Sequence, residues 1–396
     1  RTTLILFPCG GSGAYSIPAS VTSIGDYAFY RCSGLTSVVI PNSVTSIGRT
    51  AFWYCTGLTS VEIPDGVTSI RTDTFTRCIG LTSMVIPNSV TNIGDYAFSY
   101  CTGLASVEIP DSVTSIGDGA FTGCSGLTSV EIPASVTSIG DYAFTGCSGL
   151  TSVEIPDSVT SIGSQAFIGC TGLTSVVIPN SVTSIRSQAF QNCYALAGIY
   201  FMGGPPTLGF GSFMSVPGTV YYIYGTEGWG TQFGGRPTAV WTSEATFEGN
   251  GGEPSYTTRS YNAGVAYGEL PTASRAIHTF EGWWTALDES GTLVETTTLV
   301  PLITTGHTLY AKWRINQYTI SFDSAGGSAV NPITQDYGTT VTAPDDPTKT
   351  GYTFTGWNPP VPATMPAENK HCVAQWQIDY EYSISNNQVT ITKYIG

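Results

Sequence analysis

The sequence predicts a solenoid of coils stacked through parallel β-strands and short helical turns, followed by two small β-rich modules. Three observations lead there. Pro18, Pro41, Pro64, Pro87, Pro110, Pro133, Pro156 and Pro179 recur every 23 residues. The phenylalanines from Phe29 to Phe190 and the cysteines from Cys32 to Cys193 keep the same step through eight copies without an insertion. Such copies pack only on their neighbours. After Trp241 a different pattern, of paired glycines and tryptophans, occurs twice.

Within one coil, residues 17–39, the recurring apolar positions are Ile17, Val21, Ile24, Ala28, Phe29, Cys32, Leu35 and Val38. Val38 and Ile40 alternate with Val39, a strand pattern. Pro41 ends the strand because it has no N–H to donate. Asp26 to Cys32 has the length of two helical turns, with Asp26 as N-cap and Gly34 as the residue past the end. About six large apolar side chains per coil stabilise by ~1.5–3 kcal/mol each. Ordering the backbone costs ~1–2 kcal/mol per residue. One copy therefore cannot fold alone, and stacking supplies the deficit. At ~4.8 Å per strand, eight copies span roughly 40 Å.

The pattern C-x-G-L-x-x-V-x-I-P-x-x-V-x-x-I-x-x-x-A-F over residues 17–200 resembles the BspA-like (Treponema pallidum-type) leucine-rich repeat. Thr74 in the Ala position, Arg71 in a Gly position and Ala195 before Leu196 are the local departures. The resemblance implies a microbial surface or secreted protein that binds host proteins or adheres.

Residues 1–16 read as a degenerate N-terminal coil, with Leu6 and Cys9 each 23 residues before Phe29 and Cys32. Residues 201–241 read as a degenerate repeat and cap. Leu208 and Phe213 keep the Ile and Phe columns, and Tyr221, Tyr222, Tyr224 and Trp229 suit the covering of a last apolar layer. Residues 242–314 and 315–377 share Gly251–Gly252 with Gly326–Gly327, Gly282–Trp283 with Gly356–Trp357, and Trp313 with Trp376. They resemble the Listeria–Bacteroides repeat and are expected to be β-rich, of a β-grasp-like kind. The first carries 11 extra residues before its last Trp. Residues 378–396 read as the start of a further module. The first residue is Arg1, which reads as a segment of a longer array.

Net charge is −14, and there is no Lys before Lys312. That balance disfavours nucleic acid and anionic membrane surfaces. No apolar run reaches the length of a membrane span. The Thr, Ser, Gly and Asn richness suits an extracellular or cell-surface location. Nine of the ten cysteines share one column with apolar neighbours, so they read as reduced, buried small hydrophobes. Stacked neighbours also fall within reach of a disulfide. Cys372 stands where the sister module has Leu309 and reads as core. His278, His307 and His371 lie in the modules and read as surface or edge residues. No metal or phosphate motif occurs, and the solenoid has no His to activate a Ser. The expectation is no enzyme and no cofactor.

Two surfaces stand out. One outward strand position reads Val39, Glu62, Val85, Glu108, Glu131, Glu154, Val177 and Tyr200. Three residues on lie Asp65, Asp111 and Asp157. This strip reads either as a face for a basic partner or a cation, or as duplicated, solvated carboxylates; calcium needs about six to eight oxygens, which a flat strip supplies poorly. The second surface is aromatic, with Tyr30, Trp53, Tyr54 and Tyr100. It reads as a patch for protein or glycan, or as a contact with further repeats of the same array. The functional expectation is an adhesin segment whose solenoid binds an unidentified protein or glycan. The alternative is a passive stalk or surface-lattice spacer.

Overall fold

The computed structural model describes residues 2–8 and 10–394. The chain divides into two compact units. One runs to Thr242 and includes Asn262–Val265 and Val300–Thr304; the other holds Ser243–Tyr261, Ala266–Leu299 and the residues from Thr305 onward.

The first unit is a stack in which each coil of the repeat advances the chain by 23 residues and returns it beside itself, while the last coils are shorter, with Ile199 beside Val220 and Val220 beside Thr238. Val38 lies beside Val61, Met84 beside Val107, Val130 beside Val153 and Val176 beside Ile199, all in parallel strands. Strand hydrogen bonding divides this face into three sheets, with breaks after Ser60–Val61 and after Ser106–Glu108. The expected uninterrupted ladder is carried across those breaks by the neighbouring Thr column. There the Thr82 N–H donates to the Thr59 carbonyl and the Thr128 N–H to the Ala105 carbonyl. A second parallel sheet of seven two-residue strands runs from Ser69–Ile70 to Thr207–Leu208. Ile185 pairs with Leu208, as the column predicts.

Phe29 to Phe190 form one stack of near-parallel rings, each 4.8–5.5 Å from the next. Ala, Cys and Leu columns beside it are equally buried. Thr74 replaces an Ala in this core. Its hydroxyl donates to the Arg71 carbonyl across 2.7 Å, so the polar atom is satisfied.

The short helical turns are not formed; among the described residues there are no helices. Packed helices need 8–10 Å between axes, whereas the coils repeat at strand spacing. The chain instead makes successive tight turns through left-handed residues, with Tyr27 and Arg31 both at φ 59°. Alternate N–H groups divide between two partners. Ala28, Tyr30 and Cys32 donate three residues back, while Tyr27, Phe29 and Arg31 donate to carbonyls of the next coil. Asp26 is accordingly no N-cap: its carboxylate accepts the Arg49 N–H one coil on. Nor does Gly34 mark a helix end. Its column permits close approach, since a Cβ on Gly57 would stand 2.5 Å from the Ser33 carbonyl oxygen.

The cysteine column is buried, and Cys55 to Cys193 are free thiols. Cys32 corrects the expectation of a wholly reduced column, because it is disulfide-bonded. Among the described residues it is the first of the column, and stacked neighbours in such a column lie within reach of a disulfide. Cys9 lies outside the described residues.

At the N-terminal end Phe7, and not Leu6, packs on Phe29, with ring centroids 5.1 Å apart; Leu6 is exposed. At the other end Phe213 continues the ring stack, 5.8 Å from Phe190. Trp229 covers the last layer, against Phe201, Tyr222 and Phe233. Tyr224 takes no part in that cover and is exposed.

In the second unit, Gln317–Asp323 pairs antiparallel with Ile333–Asp336 and parallel with Lys370–Ile378, which pairs antiparallel with Tyr352–Asn358. The strands that begin and end this module are thus central and parallel, and among the described residues no helix packs on the sheet. The first module repeats the parallel pair, with Phe247 beside Leu309, against Phe322 beside Cys372 in the second. Its extra residues hold a short edge strand, Leu293–Val294. The paired glycines have a steric cause. A Cβ on Gly252 would meet Trp313 at 2.3 Å, and one on Gly327 would meet Trp376 at 2.5 Å. Each Trp indole donates into the same turn, to the carbonyls of Gly249 and Ser324. Tyr380–Ser385 and Gln388–Tyr394 form an antiparallel hairpin through Asn386 and Asn387, both left-handed as a type I′ turn demands.

Candidate functional site

The strand face of the first coils holds a shallow groove of about 1110 Å³. The period-two geometry of a strand makes it: Val38, Val61, Met84 and Val107 turn inward, so the residues after them turn outward. Along its floor stand Val39, Glu62, Val85, Glu108 and Glu131, with Asp65 and Asp111 on the rim. Val39 is 60% and Val85 65% exposed, so the groove alternates bare apolar and acidic positions.

The predicted acidic residues come together in part. Val85 lies directly beside Glu108, and Glu131 directly beside Glu154. Glu154 and Asp157 are exposed beyond the groove. Tyr200 is set apart from them. Its ring stacks on Tyr221 at 4.8 Å and meets Trp241 at 4.8 Å, so it is held in aromatic packing. Burial, with Tyr221 beside it, raises its phenol above the ordinary value.

The aromatic candidates divide similarly. Tyr30 and Trp53 stack at 4.9 Å with planes 8° apart, and Tyr54 joins Trp53 at 5.3 Å. The Arg31 guanidinium lies 5.4–5.6 Å from all three ring centroids. Tyr100 stands two coils from Tyr54, with Arg77 4.8 Å from its ring centroid. Arg31, Tyr54, Arg77 and Tyr100 therefore form one exposed column of alternating cation and ring on a turn edge. Sequence reading singled out the rings and missed the arginines, although all four share one repeat position. Each is left-handed, with φ of 57–61°. In the next three coils that position is Gly123, Gly146 and Gly169. Side chains there cost of order 1–2 kcal/mol in backbone strain that Gly avoids.

The histidines differ from expectation at one place. His307 is half-buried; its Nδ1 bonds Ser243 Oγ at 3.1 Å and its Nε2 bonds the Tyr267 hydroxyl. Burial lowers its pKa below the ordinary value. Ser243 and Tyr267 are themselves buried, so this is a packed polar network. Among the described residues no group of His, Cys, Asp and Glu has metal-binding geometry, and no helix is long and apolar enough to cross a membrane.

Comparison with known proteins follows the same division. The BspA type leucine rich repeat region matches residues 9–127 and 91–218 in six copies. The Listeria-Bacteroides repeat domain matches residues 244–312 and 318–360. A candidate Gly-rich membrane protein of Evansella cellulosilytica is 36% identical over 151 residues, 35% of this chain and 17% of that protein. Internalin H of Listeria monocytogenes is 39% identical over 88 residues, 22% of this chain and 15% of its own length. The chain thus spans less than a fifth of these curated relatives. The leucine-rich repeat protein of T. pallidum is 39% identical, with a TM-score of 0.39 over 40% of this chain and 77% of that one. The match to the repeat covers more than half of the sequence, and the chain belongs to the BspA-type leucine-rich repeat family, with Listeria–Bacteroides repeats after its solenoid.

Proposed function

We propose that this chain is part of a bacterial cell-surface or secreted adhesin, in which the strand-face groove contacts a protein or glycan. The observation that carries the reading is the groove floor, where exposed Val39 and Val85 alternate with Glu62 and Glu108. Bare apolar side chains between charges are poor solvated surface and good contact surface. Membership of the repeat family and similarity to internalin H support the surface placement. The domain division at 17–200, 201–241, 242–314 and 315–377 gives the two modules a spacing role in this reading. Direct binding measurements with a basic peptide and with an array of glycans test it. Binding of either probe should weaken when Val39 and Val85 are replaced by Ser, which removes the apolar contact and adds no charge. Equal binding by that variant and the parent overturns the groove as the contact face.

The stalk reading keeps one observation in its favour. The ring stack from Phe29 to Phe213 is continuous, which makes a stiff rod whether or not a ligand binds.

A further inference from the structure

The groove and the turn edge carry matching alternations. Along the groove the order is Val39, Glu62, Val85, Glu108, and the alternation ends at Glu131. Along the edge it is Arg31, Tyr54, Arg77, Tyr100. Both columns step once per coil, because both are set by the same 23-residue repeat. Glu62 and Glu108 are two coils apart, about 10 Å at strand spacing. Arg31 and Arg77 are also two coils apart. The spacing of the charges on one surface is therefore the spacing of the opposite charges on the other.

We propose that the edge column docks into the groove of a second copy of this chain, with the two solenoids side by side and antiparallel. In that alignment Arg31 meets Glu108, Tyr54 meets Val85, Arg77 meets Glu62 and Tyr100 meets Val39. Every cation faces a carboxylate and every ring faces an exposed valine. A one-coil slip in either direction puts Arg77 on a valine and Tyr54 on a carboxylate, so the neighbouring registers are disfavoured. Neither arginine forms an ion pair among the described residues, so both charges remain for a partner. Tyr54 is 38% and Tyr100 45% exposed, each with ring surface still open. The groove lining holds none of the edge residues, so the two surfaces of one copy are separate. The antiparallel alignment is a two-fold rotation, so the edge–groove contact is made twice in a closed pair or repeats along a row.

This proposal rests on the groove being a contact face, as proposed above, and it names the partner. Sedimentation velocity of the full chain over a concentration series tests it. The parent should associate at low ionic strength, to a dimer or to longer rows, with a mean mass that rises with concentration. At about 1 M salt, where the screening length falls to ~3 Å, association should weaken at least tenfold. A variant with Arg31→Glu and Arg77→Glu should stay monomeric, as should one with Glu62→Arg and Glu108→Arg. Mixed in equal amounts, the two variants should associate again, since each reversed edge then meets a reversed groove. That rescue cannot come from misfolded protein. A parent that stays monomeric at low salt overturns the proposal, and so does a mixture that fails to associate. An oligo-arginine peptide then separates the two readings. If it binds the monomeric parent, only the partner assigned here is wrong; if it does not, the acidic groove as a contact face fails too.

Discussion

The thiol of Cys78 donates to the carbonyl oxygen of Phe52, 26 residues earlier, across 3.1 Å. The same bond recurs from Cys55 to Phe29 and onward to Cys193 with Phe167. Each carbonyl also takes the N–H of the Cys three residues on, so the thiol supplies its second partner. A small apolar residue with a weak donor fits that place, and this is why the column is Cys where Ala would leave the bond unmade.

Burial raises the pKa of Cys55, Cys147 and Cys193 to about 12 from 9.0. The folded pKa is above the unfolded one, so the stabilisation is full below pH 9. It is lost as pH rises through about 12. Thermal midpoints should hold steady from pH 7 to 9 and fall steeply between pH 9 and 12. A thiol reagent at pH 8 should label Cys55 to Cys193 only after denaturant is added. Rapid labelling of the folded chain would contradict the buried column.

Phe121 lies 5.3 Å from Phe98 and 5.4 Å from Phe144, in the middle of the ring stack. Phe121→Ala should destabilise the solenoid by ~3–5 kcal/mol, the usual cost of emptying a core ring. Because each coil leans only on its neighbours, the loss should divide the stack. Hydrogen exchange should speed first in the coils on either side of residue 121, and an even increase along the whole unit would argue against nearest-neighbour packing.

The second unit offers a sharper steric test. A Cβ on Gly327 would stand 2.5 Å from Trp376 and 3.1 Å from the Thr348 carbonyl oxygen. Gly327→Ala should cost ~1–3 kcal/mol by overpacking. Gly338, with nothing within 4 Å of its Cβ, is no steric control for Ala, because its φ of +74° strains any side chain. Gly10 has open space and no such φ, and Gly10→Ala should leave unfolding unchanged. Chemical unfolding monitored by Trp fluorescence separates these outcomes.

His307 gives the same unit an acid limit. Burial lowers its pKa below 6.5, so the neutral ring between Ser243 and Tyr267 is the stable one. A depressed pKa means stability is present above about 6.5 and lost as pH falls through the folded value. Calorimetry should show a lower midpoint for this unit at pH 5 than at pH 7. His307→Gln should lower the midpoint at pH 7 and remove the difference.

The columns were legible because a fixed step forces identical residues into identical places. Val38 beside Val61 and Phe beside Phe follow from counting alone. The turns were not legible. Asp26 to Cys32 has the length and cap of a helix, and only the coil spacing forbids one. That spacing is a property of the stack, invisible in a single copy. Arg31 and Arg77 escaped for a related reason. Their position alternates Arg, Tyr, Arg, Tyr before it turns to Gly, so neither Arg nor Tyr recurs at successive 23-residue steps to mark it. His307 escaped because its partners Ser243 and Tyr267 lie 64 and 40 residues away, without a repeat to align them.

The acidic strip separates a contact face from bare surface. Glu131 and Glu154 are direct lateral neighbours, and Glu108 lies one strand before Glu131. All three are exposed, while the valines before them are buried. Replacing Glu108, Glu131 and Glu154 by Gln should therefore leave the fold intact. Stability should rise slightly, because like charges side by side on strands repel by up to ~1 kcal/mol. If the strip is a partner surface, a basic ligand should bind the parent less tightly as salt rises, since exposed charges are screened over ~8–10 Å. The triple variant should bind more weakly at low salt and lose most of that salt dependence. A variant that binds every basic probe as the parent does would make these carboxylates solvated surface, and the stiff-rod reading would then gain.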